Sequence, residues 1–186
     1  MQTKLYRLAA LAGLLCSLIL LVNAGRRGGI LPDAAFAHAI APLAEAAGLV
    51  AVTGFYFWQQ PGFGRLGLLG YGLNFFGLAG LVGAEFIINL IFPKLSTVQV
   101  NALLAGLTGV EFKVVSIVFL SGVLLFGAAL LRVGRLPRIA VGLYVLGCIP
   151  IGLRGVLPSA TLIPGLVITA AAIAWLSLPL LRGPRV

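Results

Sequence analysis

The chain reads as an all-α polytopic transmembrane helix bundle of about six spans, and three observations predict it. Apolar runs of eighteen or more residues recur along all 186 residues, each long enough to cross a hydrocarbon core of about 30 Å. Hydrophobic residues make up 61% and charged residues only 9%, where a soluble domain carries about a quarter charged. Breakers rich in Gly, Pro and Arg punctuate the runs, and no polar stretch between them is long enough for a soluble domain. Residues 1–186 therefore form a single transmembrane domain whose solvent is the lipid bilayer.

The spans are expected at 6–23, 34–58, 66–92, 112–131, 138–156 and 160–181. Arg26-Arg27-Gly28-Gly29 and Pro32-Asp33 separate the first two, with Asp33 placed to cap the second. Pro61-Gly62-Phe63-Gly64 follows the second span, Phe92-Pro93-Lys94 the third, and Arg135-Leu136-Pro137-Arg138 joins the fourth to the fifth. Ser96-Thr97-Val98-Gln99 has the spacing of a capping box. It predicts a short interfacial helix over 97–110, broken near Gly109 before the fourth span, because one continuous helix would be roughly 50 Å long.

The first span also has the pattern of a signal peptide, with Val22-Asn23-Ala24 as a small-residue cleavage site; the expectation is that it stays attached. Gly64-Arg65-Leu66, Gly72-Leu73 and Gly77 recur seventy residues on as Gly134-Arg135-Leu136, Gly142-Leu143 and Gly147, the spacing of a parallel duplication.

Basic residues set orientation. With a cytoplasmic N-terminus the inner side holds Lys4, Arg7, Arg65, Arg132, Arg135, Arg138, Arg182 and Arg185. The outer side holds Arg26, Arg27, Lys94, Lys113 and Arg154. The bias places both termini of a multi-pass membrane protein in the cytoplasm. The net charge of +9 is spread over span ends, where it matches headgroups. It accompanies no recognition motif, so nucleic acid is excluded as a partner.

Polar side chains within spans are costly and need partners or a wet cavity. On the second span His38, Glu45, Thr53, Tyr56 and Gln60 share a face, within about 80° at the helical period. On the third, Tyr71, Asn74, Glu85 and Asn89 do the same, and the two stripes are expected to meet. Glu45 lies near mid-depth, where a hydrogen-bond partner from the third span is expected. His38, Glu85, Lys113 and Arg154, from four helices, fall about 9–14 Å toward the outer face at 1.5 Å per residue. One reading makes them structural pairs, Glu85 with Arg154 or Glu111 with Lys113. The other makes His38, Glu45, Glu85, Asn89, Lys113 and Arg154 the lining of an outward-facing ligand site.

Neither a catalytic motif nor metal-ligand spacing is present, so no catalytic residue, metal or cofactor is assigned. Cys16 and Cys148 each stand alone in an apolar span and read as small hydrophobes. Ala9, Gly13 and Ser17 form a small-residue ladder that permits close helix contact, either inside the bundle or as a docking face for a membrane protein partner.

Gly64-Arg65-Leu66-Gly67-Leu68-Leu69-Gly70 with Glu85 and Pro93, and Leu125-Phe126-Gly127-Ala128-Ala129-Leu130-Leu131-Arg132 with Gly134 and Leu136-Pro137-Arg138, resemble a type of bacterial six-span integral membrane protein. With His38 the resemblance covers about the middle two-thirds of the chain. It implies the topology and carries no activity. The expected function is to bind or pass a small solute or ion through the outward-facing polar pocket. The alternatives are a non-catalytic accessory subunit of a larger membrane complex, or the substrate-binding component of a vitamin-type transporter.

Overall fold

The structure is a computed structural model that describes residues 2–183; Arg185, counted above among the inner basic residues, lies outside the described residues. Among these residues the chain is helical throughout, with seven α-helices and no strand. They are α1 (Gln2–Arg27), α2 (Ala35–Trp58), α3 (Gly64–Phe86), α4 (Thr97–Ala105), α5 (Leu107–Val133), α6 (Arg138–Gly152) and α7 (Leu162–Arg182). Five helical stretches are long and apolar enough to cross a membrane: Thr3–Arg27, Ala35–Trp58, Gly64–Lys94, Leu107–Val133 and Ser159–Arg182. α6, with 15 residues, is about 22 Å long at 1.5 Å per residue.

Several ends differ from those expected, each for a local reason. α1 runs four residues past 23 because Asn23 accepts from both Arg26 and Arg27, which closes its last turn. α3 gives way to a π-helical turn, Ile87–Ile91, and a 3₁₀ turn, Phe92–Lys94, where Pro93 can no longer donate a backbone hydrogen bond. The capping box forms as its spacing requires, with Ser96 accepting from the Gln99 N–H and Gln99 accepting from the Ser96 N–H. The break after α4 falls at Gly106 rather than Gly109. The Gly106 backbone is extended there, so α5 begins at Leu107. α6 stops at Gly152 instead of 156, and a turn carries Arg154.

Two ends of the bundle can be distinguished by contact. At the termini end, Tyr6 donates to the Phe57 carbonyl and Arg135 donates to the Gln60 carbonyl at 2.6 Å. The N-terminus, the α2–α3 turn and the α5–α6 turn therefore lie together. At the far end lie the α1–α2 loop, the close of α3, the start of α5 and the turn after α6.

Small residues bring the helices into contact. Ala9 is buried opposite Gly54 of α2, Gly13 faces Ser177 of α7 and Ala51 of α2, and Ser17 is buried, its hydroxyl bonded to the Gly13 carbonyl. The ladder on α1 is thus filled by this chain's own α2 and α7, and leucines 8, 11, 15 and 18 point outward instead. Asn23 and Ala24, the expected cleavage site, are buried in the bundle.

α3 and α5 meet backbone to backbone. A Cβ on Gly70 would strike the main chain at Phe126, on Gly77 that of Phe119, and on Gly122 that of Asn74. The seventy-residue recurrence has a structural counterpart here. Gly77 admits the backbone of the next span, and Gly147 does the same for Thr169 of α7. Gly64 and Gly134 are both left-handed, at φ 59° and 72°, a conformation that costs other residues a steric clash at Cβ.

Candidate functional site

The far end is held by a chain of polar contacts. Arg26 is its hub. Its Nη1 donates to Asp33 Oδ1 at 3.0 Å, and its Nη2 donates to Asn23 Oδ1 and to Asn89 Oδ1, each at 3.1 Å. His38 Nε2 lies 2.7 Å from Asp33 Oδ1 and 2.9 Å from Arg26 Nη1. One ring nitrogen cannot donate and accept at once. With Nε2 donating to Asp33 Oδ1, Arg26 and His38 are two donors that share one carboxylate oxygen, and no hydrogen bond joins them to each other. The hydrogen bond from Arg26, then that from His38, holds the exposed Asp33 carboxyl below the usual carboxylate range.

Asn89 carries the chain inward. Its amide donates to Glu85 Oε2 at 2.7 Å and to the Glu85 carbonyl at 2.9 Å. Asn89 sits on the π-helical turn, a geometry that recurs at functional positions. Glu85 in turn accepts from Arg154. Glu85 and Asn89 are buried, with 5% and 3% of their surface exposed. Asp33, His38, Arg26, Asn89, Glu85 and Arg154 therefore form one connected path across the far end.

The path includes three of the four ionisable residues expected at one level: His38, Glu85 and Arg154. Lys113 is not bonded to it; the side chain is exposed on α5. Lys113 and Arg154 instead share a cleft of about 600 Å³ between α3, the start of α5 and the end of α6. Its walls are apolar, with Leu81, Ile88, Phe92, Phe112, Val115 and Leu120 among them, and Ser116 adds a hydroxyl. Glu111 does not line the cleft, and no bond joins it to Lys113 among the described residues.

Glu45 departs from expectation. It is buried at 9% exposure, yet its Oε2 has no hydrogen-bond partner, so the expected partner on α3 is not there. Asn74, on the facing stripe, donates instead to the Tyr144 hydroxyl of α6 at 2.6 Å. Glu45 lines an internal cavity of about 30 Å³ with Cys16, Tyr144, Cys148 and Thr169, room for a water molecule or two. The two polar stripes do meet, but nearer the termini end: Thr53 and Tyr71 are hydrogen-bonded at 3.1 Å, and Tyr56 stacks on Tyr71 with ring centroids 4.4 Å apart.

Sequence reasoning missed Arg26 and Asn23, which it left to a loop and to a span end. Their signal was the spacing Asn23, Arg26, Arg27, an i, i+3, i+4 set that places all three on one helix face. Among the described residues no group of three or more His, Cys, Asp or Glu could hold a metal ion.

No protein-family model, curated protein or solved structure matches this chain.

Proposed function

We propose that the chain is a six-span protein of the bacterial cell membrane, with both termini cytoplasmic, that binds or passes a small solute on its outer side. α6 serves as the sixth span, lengthened by the turn to Arg154, and α4 lies along the interface. The observation that carries this reading is the cleft at the far end. At about 600 Å³ it is within the usual size of ligand sites, and it combines apolar walls with few polar groups, as such sites do. Arg154 and Lys113 give it a positive character suited to an anion. Glu85, itself bonded by Asn89, holds Arg154 from behind, His38 stands at the other end of the polar path, and Glu45 lies deeper, apart from the cleft.

A second reading, an accessory subunit with a purely structural polar cluster, draws on the closed bonding of Asp33, His38, Asn89 and Glu85. Cysteine labelling tests the first reading. Cys16 and Cys148 are buried, so Ser116→Cys, which lines the cleft and leaves Lys113 and Arg154 in place, would carry the reactive thiol. A membrane-impermeant maleimide is expected to label it in intact cells, and a panel of small carboxylates and phosphates should contain members that slow the labelling. Labelling only after the cells are opened would contradict the orientation. Labelling that no compound slows would favour the accessory role.

A further inference from the structure

We propose that the occupant of the α3–α5–α6 cleft is an anionic phospholipid of the bilayer itself, its phosphodiester held between Lys113 and Arg154 and its chain along the apolar walls. This deepens the reading of the cleft as a binding site and rests on it.

Charge is the first argument. No acidic residue lines the cleft. Arg154 gives one arm of its guanidinium to Glu85, so that pair is neutral, while its remaining N–H groups stay free to donate. Lys113 has no carboxylate partner among the described residues. The cleft therefore presents one uncompensated positive charge beside a planar donor, which matches a singly charged phosphodiester. Basic pockets between membrane helices are suited to such headgroups.

The walls are the second argument. A small hydrophilic anion would satisfy Lys113 and Arg154 but leave Ile88, Phe92, Phe112 and Leu120 uncovered. An amphiphile covers both halves of the site, and burial of that apolar surface adds to its affinity. The third argument is access. Ile117 and Val156 line the cleft and are 65% and 83% exposed on the outside of the bundle. The cleft thus opens sideways, where acyl chains are already present at high concentration.

Delipidated full-length protein in a non-ionic detergent is titrated with dioleoyl phosphatidylglycerol, dioleoyl phosphatidylcholine or inorganic phosphate. Native mass spectrometry counts the bound molecules, and thermal unfolding reads their effect. One phosphatidylglycerol per chain is expected, bound in preference to phosphatidylcholine. Lys113→Gln, a change at an exposed position, should cut that preference about fivefold, the worth of one basic residue at an anionic headgroup. Ser116→Trp, which fills the cleft, should reduce binding of both lipids.

Equal binding of the two lipids, unchanged by Lys113→Gln, would overturn the proposal. Stabilisation by inorganic phosphate that matches phosphatidylglycerol, and is lost in Lys113→Gln, would also overturn the lipid assignment while leaving the cleft a solute site. No stoichiometric binding of any probe, with Ser116→Trp indistinguishable from the parent, would overturn both readings.

Discussion

Around its middle, between Phe119 and Phe126, α5 lies against α3 with glycine letting the backbones meet, and near its start the same helix stands away from α6 and the close of α3 to leave a cleft. The difference follows from which residues face inward. Gly70, Gly77 and Gly122 remove the side chains that would keep α3 and α5 apart, and in lipid such close approach is what draws helices together. Toward the far end Leu81, Phe112 and Leu120 line the gap, with Lys113 at its exposed edge, and their bulk holds the elements open. One seam is locked by shape; the other is kept in place by an ion pair at its edge.

That edge should show the largest effect. Glu85→Ala leaves Arg154 half-buried without a carboxylate, and loss of about 3–5 kcal/mol is expected, the usual cost of breaking a buried pair. Thermal unfolding in detergent would measure it. Replacing Glu85 and Arg154 together by apolar residues of similar volume should recover most of the stability but abolish anion binding in the cleft. If the double variant keeps that binding, Arg154 is only a structural partner.

Glu85 with Arg154 was legible in the sequence because depth can be counted from span ends, and an arginine at that depth demands a carboxylate. The capping box at Ser96 was legible for a similar reason, since three residues of spacing suffice to define it. Glu45 was rightly expected to be buried but was given the wrong neighbour. Helical periodicity fixes which face a residue occupies and says nothing of which helix lies opposite, and Asn74 turned out to belong to Tyr144. The cleft itself left no trace in the sequence, because a volume between three helices depends on how they splay.

The seam should break next. Gly122→Val would put a branched side chain into the Asn74 backbone, which cannot swing aside as a side chain can. Overpacking of about 1–3 kcal/mol or more is expected, visible as lowered yield and a lower unfolding temperature. Gly72→Ala, at a position with open space around it, is the matched control and should be nearly silent.

The smallest effect belongs to Asp33. Its carboxyl is held below the ordinary range by Arg26 and His38, so it binds a proton less readily when folded than when unfolded. The stability it contributes is present above the ordinary carboxylate pKa of about 3.9 and is lost as pH falls through the lower folded value. Since Asp33 is exposed, Asp33→Asn should lower the unfolding temperature only slightly at neutral pH. The difference from the parent should vanish under strongly acidic conditions.

An experimental structure of the protein in a lipid nanodisc containing phosphatidylglycerol tests the account most directly. Elongated density is expected in the cleft between α3, α5 and α6, with a compact head within hydrogen-bonding distance of Lys113 and Arg154, and with Arg154 still on Glu85. A closed seam, with α5 packed dry against α6 and Lys113 turned away to the headgroup region, would contradict it.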